Sequence, residues 1–137
     1  MNLLLEIITP EKVVYKDEVA EVVVPTVNGE IAILPNHINL LTQVNPGELI
    51  IKKGTSQQYL AITGGFLEVN NNKISILADY AIKAQDIETA RAQEAKKRAE
   101  KIMSEKTTDN ELRIAQAEMI KAILELKVAN KHKRRLS

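Results

Sequence analysis

Arg91 and Arg98 are seven residues apart, so in a helix they stand on one face two turns from each other. Lys121, in the next helical stretch, joins them if the two helices close into a hairpin. Three cations on one face would hold a polyphosphate, because the guanidinium fork matches phosphate oxygens. The competing reading is a solvated face with local pairing, Glu94 with Arg98 at i,i+4 for example. A second cationic group is Lys131, Lys133, Arg134 and Arg135, around His132. It either complements the dipole of a helix C-terminus and then frays, or docks on an acidic protein surface. His37, after Leu34-Pro35-Asn36, reads as a turn histidine bonded to its own loop, with a contact surface as the alternative.

Other chemistry lacks its residues. There is no Cys among the 137 residues, which excludes disulfides, thiolate catalysis and Cys-based zinc. His37 and His132 are far apart and neither has a second ligand at helical spacing, which argues against a metal. No Gly-rich phosphate cradle and no G-x-S-x-G elbow occurs, and no acid sits in a setting that suggests a raised pKa. The expectation is a protein with no catalytic residues and no required cofactor. A net charge of +1 argues against a nucleic-acid partner. No apolar run exceeds the four residues of Ile31-Ala32-Ile33-Leu34, against the ~20 a membrane helix needs. Residues 1–20 carry Glu6, Glu11, Asp17 and Glu18 without a basic leader, so a soluble intracellular protein is expected.

The elements that position these groups divide near residue 84. All five Gly, all four Pro and all four aromatics precede it, and all Arg follow it. Residues 1–84 hold 6 Lys and 9 acids; residues 85–137 hold 13 basic and 9 acidic residues. The first part reads as about ten short strands, a β-sandwich or small barrel. Its turns fall at Asn28-Gly29, where both residues tolerate positive φ, and at Pro46-Gly47, Gly54 and Asn70-Asn71-Asn72. Gly64-Gly65 marks a bulge or a close approach between layers.

The second part reads as an antiparallel helical hairpin. Asp86 caps the first helix, and Ala92, Ala95 and Ala99 face inward. Thr108-Asp109-Asn110-Glu111 is a capping box for the second, with Leu112, Ala115, Met119, Ile123 and Leu126 on its apolar stripe. The expected lengths are about 30 and 35 Å. Methyl groups bury little area, and burial is worth about 25 cal/mol per Å². Such a hairpin is held loosely enough for a partner to switch it.

Five stretches then resemble a known family. They are Ile8-Thr9-Pro10-Glu11, Gly29-Glu30-Ile31-Ala32-Ile33-Leu34-Pro35-Asn36-His37 and Gly64-Gly65-Phe66-Leu67-Glu68-Val69, then Ile76-Leu77-Ala78-Asp79-Tyr80-Ala81 and Gln85-Asp86-Ile87-Glu88-Thr89-Ala90-Arg91-Ala92. In this order, ahead of a helical hairpin, they resemble the epsilon subunit of F-type ATP synthases over essentially the whole chain. The resemblance implies a β-sandwich over residues 1–84 and a two-helix regulatory domain over 85–137. It implies a non-catalytic subunit of the rotor's central stalk, with the sandwich bound to the gamma subunit and the c-ring. Asn28, Gly29, Glu30 and His37 would lie in that interface. The helices would act as a brake on ATP hydrolysis when they extend towards the alpha and beta subunits. Lys131, Lys133, Arg134 and Arg135 would then contact beta.

Some members bind ATP in the closed hairpin, through Ile or Leu, Asp, two variable residues and Arg-Ala. Here the run is Ile87-Glu88-Thr89-Ala90-Arg91-Ala92. Glu88, Arg91, Arg98 and Lys121 are the corresponding nucleotide site. Glu88 replaces the Asp, Ile82 stands where an acid often contributes, and Lys121 and Glu125 stand where arginines do. These losses would weaken binding by several kcal/mol, so a regulatory ATP would be weak. The chain also departs at Ala32, commonly Gly, and at Ile38-Asn39, commonly Ala-Pro. The implied location is the cytoplasmic face of a bacterial membrane, as a peripheral subunit of a complex, rather than a plastid thylakoid. The rival reading is a free-standing ATP-sensing module using Arg91, Arg98 and Lys121.

Overall fold

The structure, a computed structural model, describes residues 2–136. The chain falls into two compact units, Met1–Lys83 and Ala84–Ser137. The first contains ten strands: β1 Leu3–Ile8, β2 Val13–Val19, β3 Glu21–Thr26, β4 Gly29–Ile33, β5 Leu40–Val44, β6 Gly47–Lys53, β7 Ser56–Ile62, β8 Gly65–Asn70, β9 Lys73–Ala78 and β10 Ala81–Lys83. The period-2 pattern explains them. Leu3, Leu5 and Ile7 of β1 are buried while the residues between them are partly exposed, and β9 alternates the same way through Ile74, Ile76 and Ala78.

The strands form one sheet folded on itself, in the order β10-β7-β6-β3-β5-β8-β9-β1-β2, with β4 on β3. Between β3 and β5 the ladder is the single pair Thr26 and Val44. Side chains from both sides of that seam share one core: Leu5, Ile7, Leu67 and Ile76 from one, Val22, Val24, Leu49, Ile51 and Leu60 from the other. This is the sandwich expected from the strand pattern. All neighbouring strands are antiparallel except β1 and β9. Charges on solvated faces pair directly across strands, Lys16 with Glu6 at 3.7 Å and Lys52 with Glu21 at 3.6 Å.

Two turn expectations are corrected. The β3–β4 chain reverses on Val27-Asn28, one residue earlier than Asn28-Gly29, and of that pair only Gly29 has positive φ, at 98°. Thr26 Oγ1 holds the turn, donating to Gly29 O at 2.7 Å and accepting from Asn28 N at 3.2 Å. The close approach at Gly65 lies between adjacent strands, not between layers. Its φ is 139°, and a Cβ there would stand 2.0 Å from the Leu77 carbonyl oxygen on β9.

The second unit has a short 3₁₀ turn at Ala84–Asp86, then α1 Thr89–Ser104 and α2 Asp109–Leu136. At 1.5 Å per residue these helices are about 24 and 42 Å long, so the expected lengths were too equal. Asp86 lies in the 3₁₀ turn, and the residue before α1 is Glu88, which makes no side-chain cap. The box at α2 is half formed. Thr108 Oγ1 accepts the Glu111 amide at 3.1 Å, but the Glu111 carboxylate takes the Thr107 hydroxyl instead of reaching back. The four-residue connection makes the helices an antiparallel hairpin. Buried alanines recur every seven residues, Ala92 and Ala99 on α1 and Ala115, Ala122 and Ala129 on α2. Ala122, not Ile123, continues the stripe, and Ile123 is exposed.

Candidate functional site

The first set of residues lies at the two ends of β4. Asn28, Gly29 and Glu30 form an exposed hairpin tip at its start. His37 lies in the loop Leu34–Asn39, beyond the other end of β4. The His37 amide donates to Leu34 O at 3.1 Å, and its Nδ1 lies 2.7 Å from Ile38 O, which requires Nδ1 to carry the proton. That is the turn histidine of the simpler reading. The two ends are thus separate surfaces joined by one strand.

The second set is on the hairpin. Glu88, in extended backbone ahead of α1, has its carboxylate 3.9 Å from Arg91 Nη1, and both are well exposed. Arg98 is exposed two turns on. Lys121 is half-buried on α2 and already engaged within the protein. Local pairing on α1 runs through Arg91–Glu88 and Lys96–Glu100, the latter at 3.9 Å. The third set, Lys131, Lys133, Arg134 and Arg135, is exposed in the last turns of α2, which stays helical to Leu136.

The strand pattern hid two further features. Phe66 and Leu77 are opposite each other, Leu77 is opposite Ile8, and Ile8 is opposite Val13, an apolar rung across β8, β9, β1 and β2. Phe66, Leu77 and Val13 are each more than half exposed. The signal was present in Ile76-Leu77, two successive aliphatics where alternation allows one inside. The second feature is a clasp on the His37 loop. The Asn36 amide donates to Asn72 Oδ1 at 2.6 Å, and the Asn71 amide donates to Asn39 Oδ1 at 3.1 Å.

Among the described residues no three His, Asp or Glu gather as a metal site, and no helix is long and apolar enough to cross a membrane. One open hollow, about 760 Å³, is lined by Asp17, Glu18, Lys53, Ser56 and Gln58 among others. Its Asp17 and Lys53 neutralise each other in a direct ion pair. Lys53 and the Glu18 amide hold the Asp17 carboxyl below the usual carboxylate range, and Asp17 raises Lys53 in turn.

Comparison with known proteins gives the same division. Residues 2–84 match the family described as ATP synthase, Delta/Epsilon chain, beta-sandwich domain, and residues 85–130 match its long alpha-helix domain. The ATP synthase epsilon chain of Dehalococcoides mccartyi is 44% identical over 134 residues, covering 97% of this chain and 96% of the relative. That of Herpetosiphon aurantiacus is 42% identical over 136 residues, covering 98% and 99%. A chain in the Euglena gracilis mitochondrial ATP synthase structure, OSCP/F1/c-ring in rotational state 1, superimposes with a TM-score of 0.66 at 21% identity, over 99% of this chain and 82% of that one. A chain of the Tetrahymena thermophila central stalk/c-ring gives 0.65 at 15% identity, over 94% and 97%. At those identities the structures speak for the fold, and the full-length sequence relatives carry the family. The chain belongs to the ATP synthase epsilon-chain family.

Proposed function

We propose that this chain is the non-catalytic central-stalk subunit of a proton-translocating F-type ATP synthase, and that its helical unit restrains ATP hydrolysis. The observation that carries the reading is full-length family membership in a chain built as two units, a rigid sandwich and an alanine-seamed hairpin. The sandwich binds the gamma subunit and the c-ring, so torque passes between proton flow and the catalytic subunits. Its two ends of β4, Asn28-Gly29-Glu30 and His37, serve as contact points, and the exposed rung of Phe66, Leu77 and Val13 is the kind of apolar surface that assembly covers. The hairpin opens to reach the alpha and beta subunits, where Lys131, Lys133, Arg134 and Arg135 meet acidic surface. Location follows from the assembly: a peripheral subunit at the cytoplasmic face of a bacterial membrane. No cofactor is required, and ATP binds weakly at most through Arg91, Arg98, Lys121 and Glu88.

Ending the chain after Ala84 tests this. The sandwich should fold and join the complex, and ATP hydrolysis by that complex should rise about fivefold or more. Unchanged hydrolysis removes the brake. Failure of the truncated chain to assemble removes the sandwich as the anchoring part.

A further inference from the structure

The loop Leu34–Asn39 combines two properties that rarely coexist. It is tied down, and it holds large aliphatic side chains in solvent. Ile38 is 78% exposed, Leu34 49% and, at the start of β5, Leu41 71%. A slack loop would fold such groups onto the protein, because burying apolar area is favourable. Here the backbone is anchored from outside. Asn72 Oδ1 accepts the Asn36 amide, and Asn39 Oδ1 accepts the Asn71 amide, links that span 36 and 32 residues. Asn71 and Asn72 form the tight β8–β9 turn with φ of 50° and 62°, a left-handed pair that asparagine tolerates. The Asn72 carbonyl also accepts the Leu4 amide at 2.9 Å, which fixes the turn to β1. The anchor is therefore itself anchored to the sheet.

We propose that Asn72 and Asn39 are positioning residues that hold Ile38 outward as a preformed contact for an uncharged, apolar patch on a neighbouring rotor subunit. This deepens the reading of the His37 end of β4 as an interface and rests on it. The chemistry of the loop selects the partner. None of its six residues is Asp, Glu, Lys or Arg, in a chain in which 27% are. Charge steering therefore has nothing to act on, and the contact should be insensitive to salt. Ordering the loop before association spares its entropy cost at docking.

The test uses the chain's own ATP synthase stripped of this subunit and re-formed with variants. Asn39→Ala with Asn72→Gly removes both acceptors, and glycine keeps the left-handed turn. Asn39→Asp with Asn72→Asp keeps both acceptors. Ile38→Ser leaves the clasp intact and changes only the contact. The expected result for the Ala/Gly variant is faster amide exchange over residues 34–39, melting within a few degrees of the parent, and re-association about tenfold weaker at low and high salt alike. The Asp pair should keep amide exchange over residues 34–39 as slow as in the parent, while its two added carboxylates, set against an apolar patch, weaken re-association. Ile38→Ser should weaken re-association with exchange unchanged. A loosened loop that docks as tightly as the parent overturns the proposal, as does full affinity in Ile38→Ser, which decides alone if the Ala/Gly variant does not fold. A parent chain that fails to re-associate overturns the interface reading, and this proposal with it.

Discussion

Tyr15 buries its hydroxyl in the sandwich without a hydrogen-bond partner. An unmet buried donor costs free energy, so Tyr15→Phe should leave stability unchanged or raise it by about 1 kcal/mol, read by chemical denaturation. Burial, with the charge of Asp17 adding to it, raises the pKa of Tyr15, while Lys53 opposes. The folded chain thus keeps the phenolic proton more tightly than the unfolded chain. The contribution is intact below the ordinary tyrosine range and is lost as pH climbs above it, so Tyr15→Phe should also flatten the alkaline decline. Asp17 acts with the opposite sign. Its lowered pKa contributes stability above the carboxylate range, which is lost as pH falls through the lowered value. Gly65 admits no side chain. Gly65→Ala sets a methyl against the Leu77 carbonyl at a φ that L-residues avoid, and should cost more than about 3 kcal/mol and prevent folding at 37 °C. The glycine pair announced itself in the sequence. What it approaches did not, because that depends on the β8–β9 register.

At the scale of elements, strands and helices were legible because their periods differ, and Asn28-Gly29 located a hairpin to within one residue. The first helix start misled. Asp86 is a fine capping residue, but the chain first spends it on a 3₁₀ turn, and Glu88 takes the boundary without capping. The seam of α2 misled for another reason. Choosing the larger aliphatic at each turn selects Ile123, whereas two helices that meet through methyl groups select Ala122. Ala122→Leu should overfill that seam and lower the stability of the helical unit by about 1–3 kcal/mol, seen as an earlier loss of helical circular dichroism. A stable, unshifted helical transition in that variant would show that the seam has room to spare.

For the whole molecule, the family was readable because its stretches recur in order along the chain, while the contact surfaces were only partly readable. The clasp of Asn36 and Asn72 joins residues far apart in sequence, and no local pattern announces it. The basic end of α2 was visible as composition, and its continued helicity to Leu136 came from the structure. Replacing Lys131, Lys133, Arg134 and Arg135 by Ala should weaken inhibition in the assembled complex, more at low than at high ionic strength, since exposed charges are screened over about 10 Å at 0.1 M salt. Equal inhibition at every ionic strength would leave that cluster as solvated surface.

The connection between α1 and α2 contains neither Gly nor Pro; it is Glu105-Lys106-Thr107-Thr108. Glu105 leaves the helix in extended backbone, φ −98° and ψ 162°, with no residue there that forbids a coil from winding straight through. Read as a carpenter's folding rule, the piece from Thr89 to Leu136 measures about 42 Å when doubled and about 70 Å when straightened. A bend of four ordinary residues is thus all that separates those two lengths.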